Sequence, residues 1–337
     1  DMPASPAEAY QVAFRWEYAA SDYVRGAPLL HGGTLYVGSD DNALHAIDAV
    51  TGQGLWSIPT ADNISARPVS LGALLCLGGW DSQVRCVDAS SGEIAWAYEA
   101  AGRIQADLAA NAQGTILYAA DDAGWVHAVS AAGDHVWRYR VGGAVLAPLV
   151  LADDALLVGA LDGYLYALDP AEGTLRWRFR TRGDIVGAPA VADGVTYLAS
   201  CWRDVHALDL ATGAELWSRD IGSAVESDIA HADGRLYLGT NDGRMMALDA
   251  DDGATLWEHR AQGTVRSGPA IWREAVFFGS DDHHLYGLDA ATGALIWEYV
   301  TPGAVIGAPL VAGDSLYVGA TDSRVHAFAL TTSEGAP

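Results

Sequence analysis

Tryptophan recurs at Trp16, Trp56, Trp96, Trp137, Trp177, Trp217, Trp257 and Trp297, a spacing of 40 residues interrupted once by 41. A period of about 40–45 residues made of short strands is the signature of propeller blades, each a four-stranded radial sheet. One unit reads as strands over 188–195, 196–200, 205–209 and 215–218, with turn residues in every gap. The third gap holds Asp-x-x-Thr-Gly at 48–52, 209–213 and 289–293, where Gly supplies the positive φ of a tight turn. Runs such as Leu35-Tyr36-Val37-Gly38 suit a second strand covered on both faces, and each periodic Trp is expected to wedge between adjacent blades. The last unit, 305–330, supplies three strands and no Trp, while Phe14-Arg15-Trp16 is an orphan fourth strand. The sequence therefore predicts an all-β, eight-bladed β-propeller of about 40-residue blades, with the last blade closed by the N-terminal strand. This makes one domain over 13–330, with tails at 1–12 and 331–337.

The 43 acidic residues face only 19 basic ones, all of them Arg, for a formal charge of −24. Such a field repels phosphate backbones and anionic lipid, so nucleic acid and membranes are not expected partners unless a local Arg patch overrides it. Cys76, Cys86 and Cys201 show no CxxC spacing and no adjacent pair, which predicts reduced thiols and, with them, a cytoplasmic protein. No apolar run approaches the ~18 residues that suggest a membrane helix. The first residues, Asp1-Met2-Pro3, lack the basic and apolar pattern of a secretory signal, and Met2 reads as a native start; secretion with an already removed signal is the alternative. A monomer is expected.

The string Ala207-Leu208-Asp209-Leu210-Ala211-Thr212-Gly213-Ala214-Glu215-Leu216-Trp217 resembles the repeat of the pyrroloquinoline quinone (PQQ) dehydrogenases and their non-catalytic relatives, and it recurs along nearly the whole chain. For the quinone enzymes the resemblance implies calcium held by Glu, Asn and Asp, a catalytic Asp, and often a disulfide between neighbouring cysteines. This chain has no adjacent cysteines and no long insertions, so the expectation is a divergent or non-catalytic member with no cofactor and no metal. The superfamily's outer-membrane assembly lipoproteins imply a protein-interaction role as one alternative.

Positions that only hold the fold should look alike in all eight units, so departures mark candidate sites. His45, His127, His206 and His326 share one repeat position with Arg85, Tyr166, Met246 and Tyr286, which makes these histidines structural. The loops leading into the innermost strands rim a central funnel. They place Ala27, Arg67, Asp107, Ala147, Ala188, Asp228, Gly268 and Ala308 at one level, and Arg25, Ser65, Gln105, Val145, Val186, Glu226, Arg266 and Ile306 two residues upstream. Charged groups on one side and an apolar wall on the other suit a pocket for a small molecule or peptide. The competing reading pairs Arg67 with Asp107, and Arg266 with Glu226 or Asp228, as structural ion pairs.

The binding set is therefore Arg25, Arg67, Gln105 and Arg266, with Trp80 and Trp202 on the rim. Asp107, Glu226 and Asp228 are general-base candidates if the protein is a quinone-free lyase, isomerase or cyclase, since nearby Arg lowers a carboxylate pKa. A third function, a scaffold, would use the acidic outer rim and Trp272 on the opposite face. Asp281-Asp282-His283-His284, Asp40-Asp41 and Asp121-Asp122 read as solvated acidic turns, because neighbours on a strand point to opposite sides and cannot easily share a metal. The chain has no GxSxG, Walker-type or HExxH motif.

Overall fold

The computed structural model describes residues 10–152 and 154–332, and the tail readings for 1–9 and 333–337 fall outside them. Eight four-stranded antiparallel sheets form the blades of one β-propeller, with no helix among the described residues. Blade one runs Leu29–His31, Thr34–Ser39, Ala43–Asp48 and Gly54–Pro59 from the axis outward. Blades two to seven repeat that order over 69–99, 109–140, 150–180, 190–220, 230–260 and 270–300. Blade eight joins Leu310–Ala312, Ser315–Ala320 and Arg324–Thr332 to the N-terminal strand Tyr10–Ala19, which takes the outermost place. Trp16 thereby sits opposite Ala327, and the chain closes its own ring.

The innermost strands are shorter than 188–195 implies. In blade five the strand covers only Ala190–Ala192 and turns back through Asp193 and Gly194, at φ +50° and +76°. A two-residue turn with both φ positive matches the twist of a hairpin, and it fits strands that must converge on a narrow axis. The second strands are buried on both sides, as Leu35, Tyr36 and Val37 show.

The periodic tryptophans are the wedges between blades. Trp137, Trp177, Trp217 and Trp257 each donate their indole N–H to a turn carbonyl of the following blade: Pro170, Leu210, Ala250 and Ala290, at 2.9–3.0 Å. A Tyr from the same blade often reaches the same carbonyl, as Tyr118 does at Pro170 and Tyr237 at Ala290. The turn glycines permit this approach: a Cβ on Gly293 would lie 2.5 Å from the Trp257 ring.

A second device lies near the opposite end of six of the eight seams, and it revises the reading of the acidic turns. Asp41, Asp121 and Asp322 bond Nε2 of His45, His127 and His326 at 3.0–3.1 Å, Asp81 bonds Arg85, and Asp162 and Asp282 accept from Tyr166 and Tyr286. Asp41, Asp81, Asp121 and Asp282 also accept backbone N–H groups of Ser21, Ala61, Ala101 and Gln262 in the preceding loop. The side chains of Asp41 and Asp282 are only 10% and 8% exposed. One member of each acidic pair is thus a buried latch, not a solvated group, and His45, His127 and His326 are structural because they receive it.

The cysteine reading is also corrected. Cys76 and Cys86 face each other across the second and third strands of blade two, with Cα atoms 4.0 Å apart, and form a disulfide in the buried core. A hairpin register, not a short motif, brings them together, which is why spacing rules overlooked the pair. Cys201 is the remaining free thiol.

Candidate functional site

The loops into the inner strands gather the predicted funnel residues, but most are held by the protein itself. Asp107 Oδ1 accepts the N–H of Arg67 at 2.7 Å, and Asp228 Oδ1 accepts the N–H of Ala188 at 2.7 Å. Each carboxylate therefore grips the equivalent backbone position of the preceding blade. The side chain of Asp228 also fills the space a Cβ on Gly268 would need. Burial pushes the Asp107 carboxyl up, against the pull of the Arg67 N–H and guanidinium. Burial pushes Asp228 to about 6, with the neighbouring Asp107 charge adding to it. This reverses the expectation that nearby Arg would lower these values: desolvation at the axis outweighs attraction to a single cation.

The consequence for stability has a definite sign. A carboxyl whose folded pKa lies above its unfolded value favours folding below the unfolded value, and that contribution is lost as pH rises through about 6. Asp228→Asn, which keeps an acceptor for Ala188, is expected to stabilise the protein at pH 8 by on the order of 2 kcal/mol. Denaturant unfolding at pH 8 and near pH 4 checks this, and the advantage should vanish at the lower pH.

The other funnel residues separate into local pairs. Arg266 lies 3.4 Å from Glu226 and 3.6 Å from Asp281, and Asn241 donates to Glu226 at 2.7 Å. Of the predicted ion pairs, Arg266 with Glu226 is present. Arg67 meets Asp107 through its backbone only, and no carboxylate lies within 4 Å of its guanidinium among the described residues. Arg25 pairs with Asp40 at 2.5 Å and stacks on Tyr23. Trp80 donates to Ser65 at 2.9 Å under the Arg103 guanidinium. Gln105 is half-buried. Trp202, 53% exposed, stands in blade five, across the ring from Arg25 in the loop before blade one. Among the described residues no three His, Cys, Asp or Glu side chains are placed to share a metal ion.

Trp272 is only 7% exposed, covered edge-on by Tyr10 and from above by Arg273, so it offers no docking surface. Nor is the outer rim uniformly acidic. The outer strand of blade three, His135–Arg140, presents Arg138 and Arg140 on one side, both over the ring of Trp125 at 4.5 and 5.2 Å. The outer strand of blade four, Leu175–Arg180, repeats this with Arg178 and Arg180 over Tyr164 at 4.8 and 5.6 Å. Strand alternation makes the pattern: Trp137, Tyr139, Trp177 and Phe179 point into the seams, and the intervening arginines point out. All four arginines are exposed, and none has a carboxylate within 4 Å among the described residues. Arg176 beside them, by contrast, is bound by Asp154 and Asp169. The signal was present in the strings His135-Val136-Trp137-Arg138-Tyr139-Arg140 and Leu175-Arg176-Trp177-Arg178-Phe179-Arg180.

The family model described as outer membrane protein assembly factor BamB (PQQ_2) matches residues 9–79, 80–186, 122–204, 161–270 and 262–335. No curated protein matches the chain. Among solved structures, BamB from Moraxella catarrhalis superposes with a TM-score of 0.81 at 20% identity, over 95% of this chain and 98% of that one. The computationally designed Ika8 protein gives 0.84 at 18% identity, over 94% and 99%. A europium-containing methanol dehydrogenase gives 0.82 at 14% identity, over 94% and 93%. At such identities the structural likeness establishes the fold.

Proposed function

Because the chain belongs to the family described as outer membrane protein assembly factor BamB, we propose that it is a protein-interaction scaffold that docks an acidic segment of its partner along the outer strands of blades three and four. One observation carries this reading: Arg138, Arg140, Arg178 and Arg180 are exposed and unpaired on a chain of net charge −24. Exposed arginines stacked on aromatic rings are the side chains that dominate protein interfaces. Each outer strand has hydrogen-bonded neighbours on one side only, so an extended peptide can add to its free edge. The Cys76–Cys86 disulfide fits an oxidising compartment, which replaces the cytoplasm in the proposal. The test is binding of an acidic peptide to the native protein and to a variant in which the four arginines are Gln.

Small-molecule binding in the funnel is the second reading, favoured by the unpaired guanidinium of Arg67 beside the half-buried, desolvated carboxyls of Asp107 and Asp228. Native mass spectrometry of the purified protein and of Arg67→Ala decides it. A bound organic molecule lost in the variant supports the funnel, and none in either protein sinks it.

A further inference from the structure

Blade five breaks the seam latch. By the repeat, Trp202 occupies the place of Asp41, Asp81, Asp162, Asp282 and Asp322, and Phe179 occupies that of Tyr18 and Tyr98. In blade one, His45 is held between the Asp41 carboxylate and the Tyr18 hydroxyl. His206 has neither. Its ring packs edge-on against Phe179 with centroids 5.1 Å apart, and its Nδ1 donates instead to Glu215 Oε1 at 2.8 Å. Nε2 is left buried without a partner, in a residue only 8% exposed.

The seam between blades four and five opens at His206 into a cleft of about 490 Å³ whose walls include Arg180, Arg182 and Arg219. The acids of the cleft are engaged: Asp220 with Arg203, Glu215 with His206, and Asp204 with Arg182 at 3.7 Å. Arg180 and Arg219 have no carboxylate within 4 Å among the described residues.

We infer that this cleft binds a carboxylate group, which takes the place of the aspartate present in the neighbouring seams and is held by His206 Nε2 and the guanidinium groups of Arg180 and Arg182. The site shares Arg180 with the arginine surface, but its test reads the His206 ring, so its failure and that of the docking proposal are distinguishable. With Nδ1 donating to Glu215, neutral His206 offers only a lone pair at Nε2, so a carboxylate must bring a proton onto the ring. The charged groups that line the cleft with His206 are Glu215, Arg219 and Asp220 from the outer strand of blade five, Asp204 from its third strand, and Arg180 and Arg182 from blade four and the loop after it. Binding should therefore be coupled to uptake of one proton by the ring.

The test is imidazole ¹⁵N NMR of the full chain, with His206 assigned from His206→Gln. It is titrated with sodium acetate, or with the peptide acetyl-Gly-Asp-Gly-amide, against sodium chloride of equal ionic strength. Saturable movement of the His206 Nε2 signal is expected, weaker near pH 8 than near pH 6 because binding takes up a proton. A response to acetate assigns a small organic acid, and a response to the peptide alone assigns a protein carboxylate. In Trp202→Asp the restored latch should move the same signal without additive and abolish both titrations. Arg180→Gln, an exposed position, should weaken binding about ten-fold with the fold intact. No movement beyond chloride with either probe overturns the proposal, as does a response with equal affinity at the two pH values.

Discussion

Trp257→Ala is expected to lower the free energy of unfolding by about 3–5 kcal/mol, the range for removing a large aromatic side chain from a packed core. Trp257 is 8% exposed, packs in the cluster with Tyr237 and Phe278, and donates to Ala290 O at 3.0 Å across the seam to blade seven. The truncation leaves a void against Gly293, which has no side chain to fill it, while Tyr237 keeps the Ala290 carbonyl bonded. The loss therefore measures packing more than an orphaned polar group. Trp202→Ala is the control, since Trp202 is exposed and should change stability by less than about 0.5 kcal/mol. Denaturant unfolding of both variants checks the pair, and a loss below about 1 kcal/mol for Trp257→Ala would contradict the wedge between blades.

The fold was legible because one physical requirement repeats eight times. Seven seams set a Trp ring against a turn glycine, and Trp297 packs on Phe328 in the seam to blade eight, so the Trp period and the glycine turns report the same contact from its two sides. The closing strand was legible for the same reason, since Trp16 had no blade of its own. The sites were less legible because their signals are relational. Cys76 and Cys86 pair through hairpin register, and Asp41 and Asp282 are buried by a neighbouring blade's loop, neither of which spacing along the chain encodes. Comparing repeats did mark Asp107 and Asp228 as departures, but not that burial would dominate their charge. Trp202 was singled out as a rim aromatic. Its larger consequence, an aspartate missing from the partner set of His206, emerges only once the other seams show what that position does.

Replacing Arg138, Arg140, Arg178 and Arg180 by Gln is expected to weaken binding of an acidic segment by about 100-fold, taking roughly 0.5–1 kcal/mol for each exposed charge contact. Nothing comparable should happen to stability. The four side chains make no ion pair within 4 Å among the described residues, and their contacts are stacking on Trp125 and Tyr164 at the surface. Gln keeps part of the stem that covers those rings and removes the charge. The attraction is local, because screening over about 8 Å at physiological salt separates this patch from the acidic remainder of the ring. The same screening makes the interaction salt-dependent, which distinguishes it from apolar docking.

The decisive measurement is fluorescence anisotropy of a labelled peptide alternating Glu and Val, titrated with the native protein and with the four-arginine variant at low and high salt. Saturable binding that weakens with salt and falls by about 100-fold in the variant is the predicted result. Equal affinity for both proteins, or no binding to the native protein at low salt, would contradict the docking surface on blades three and four.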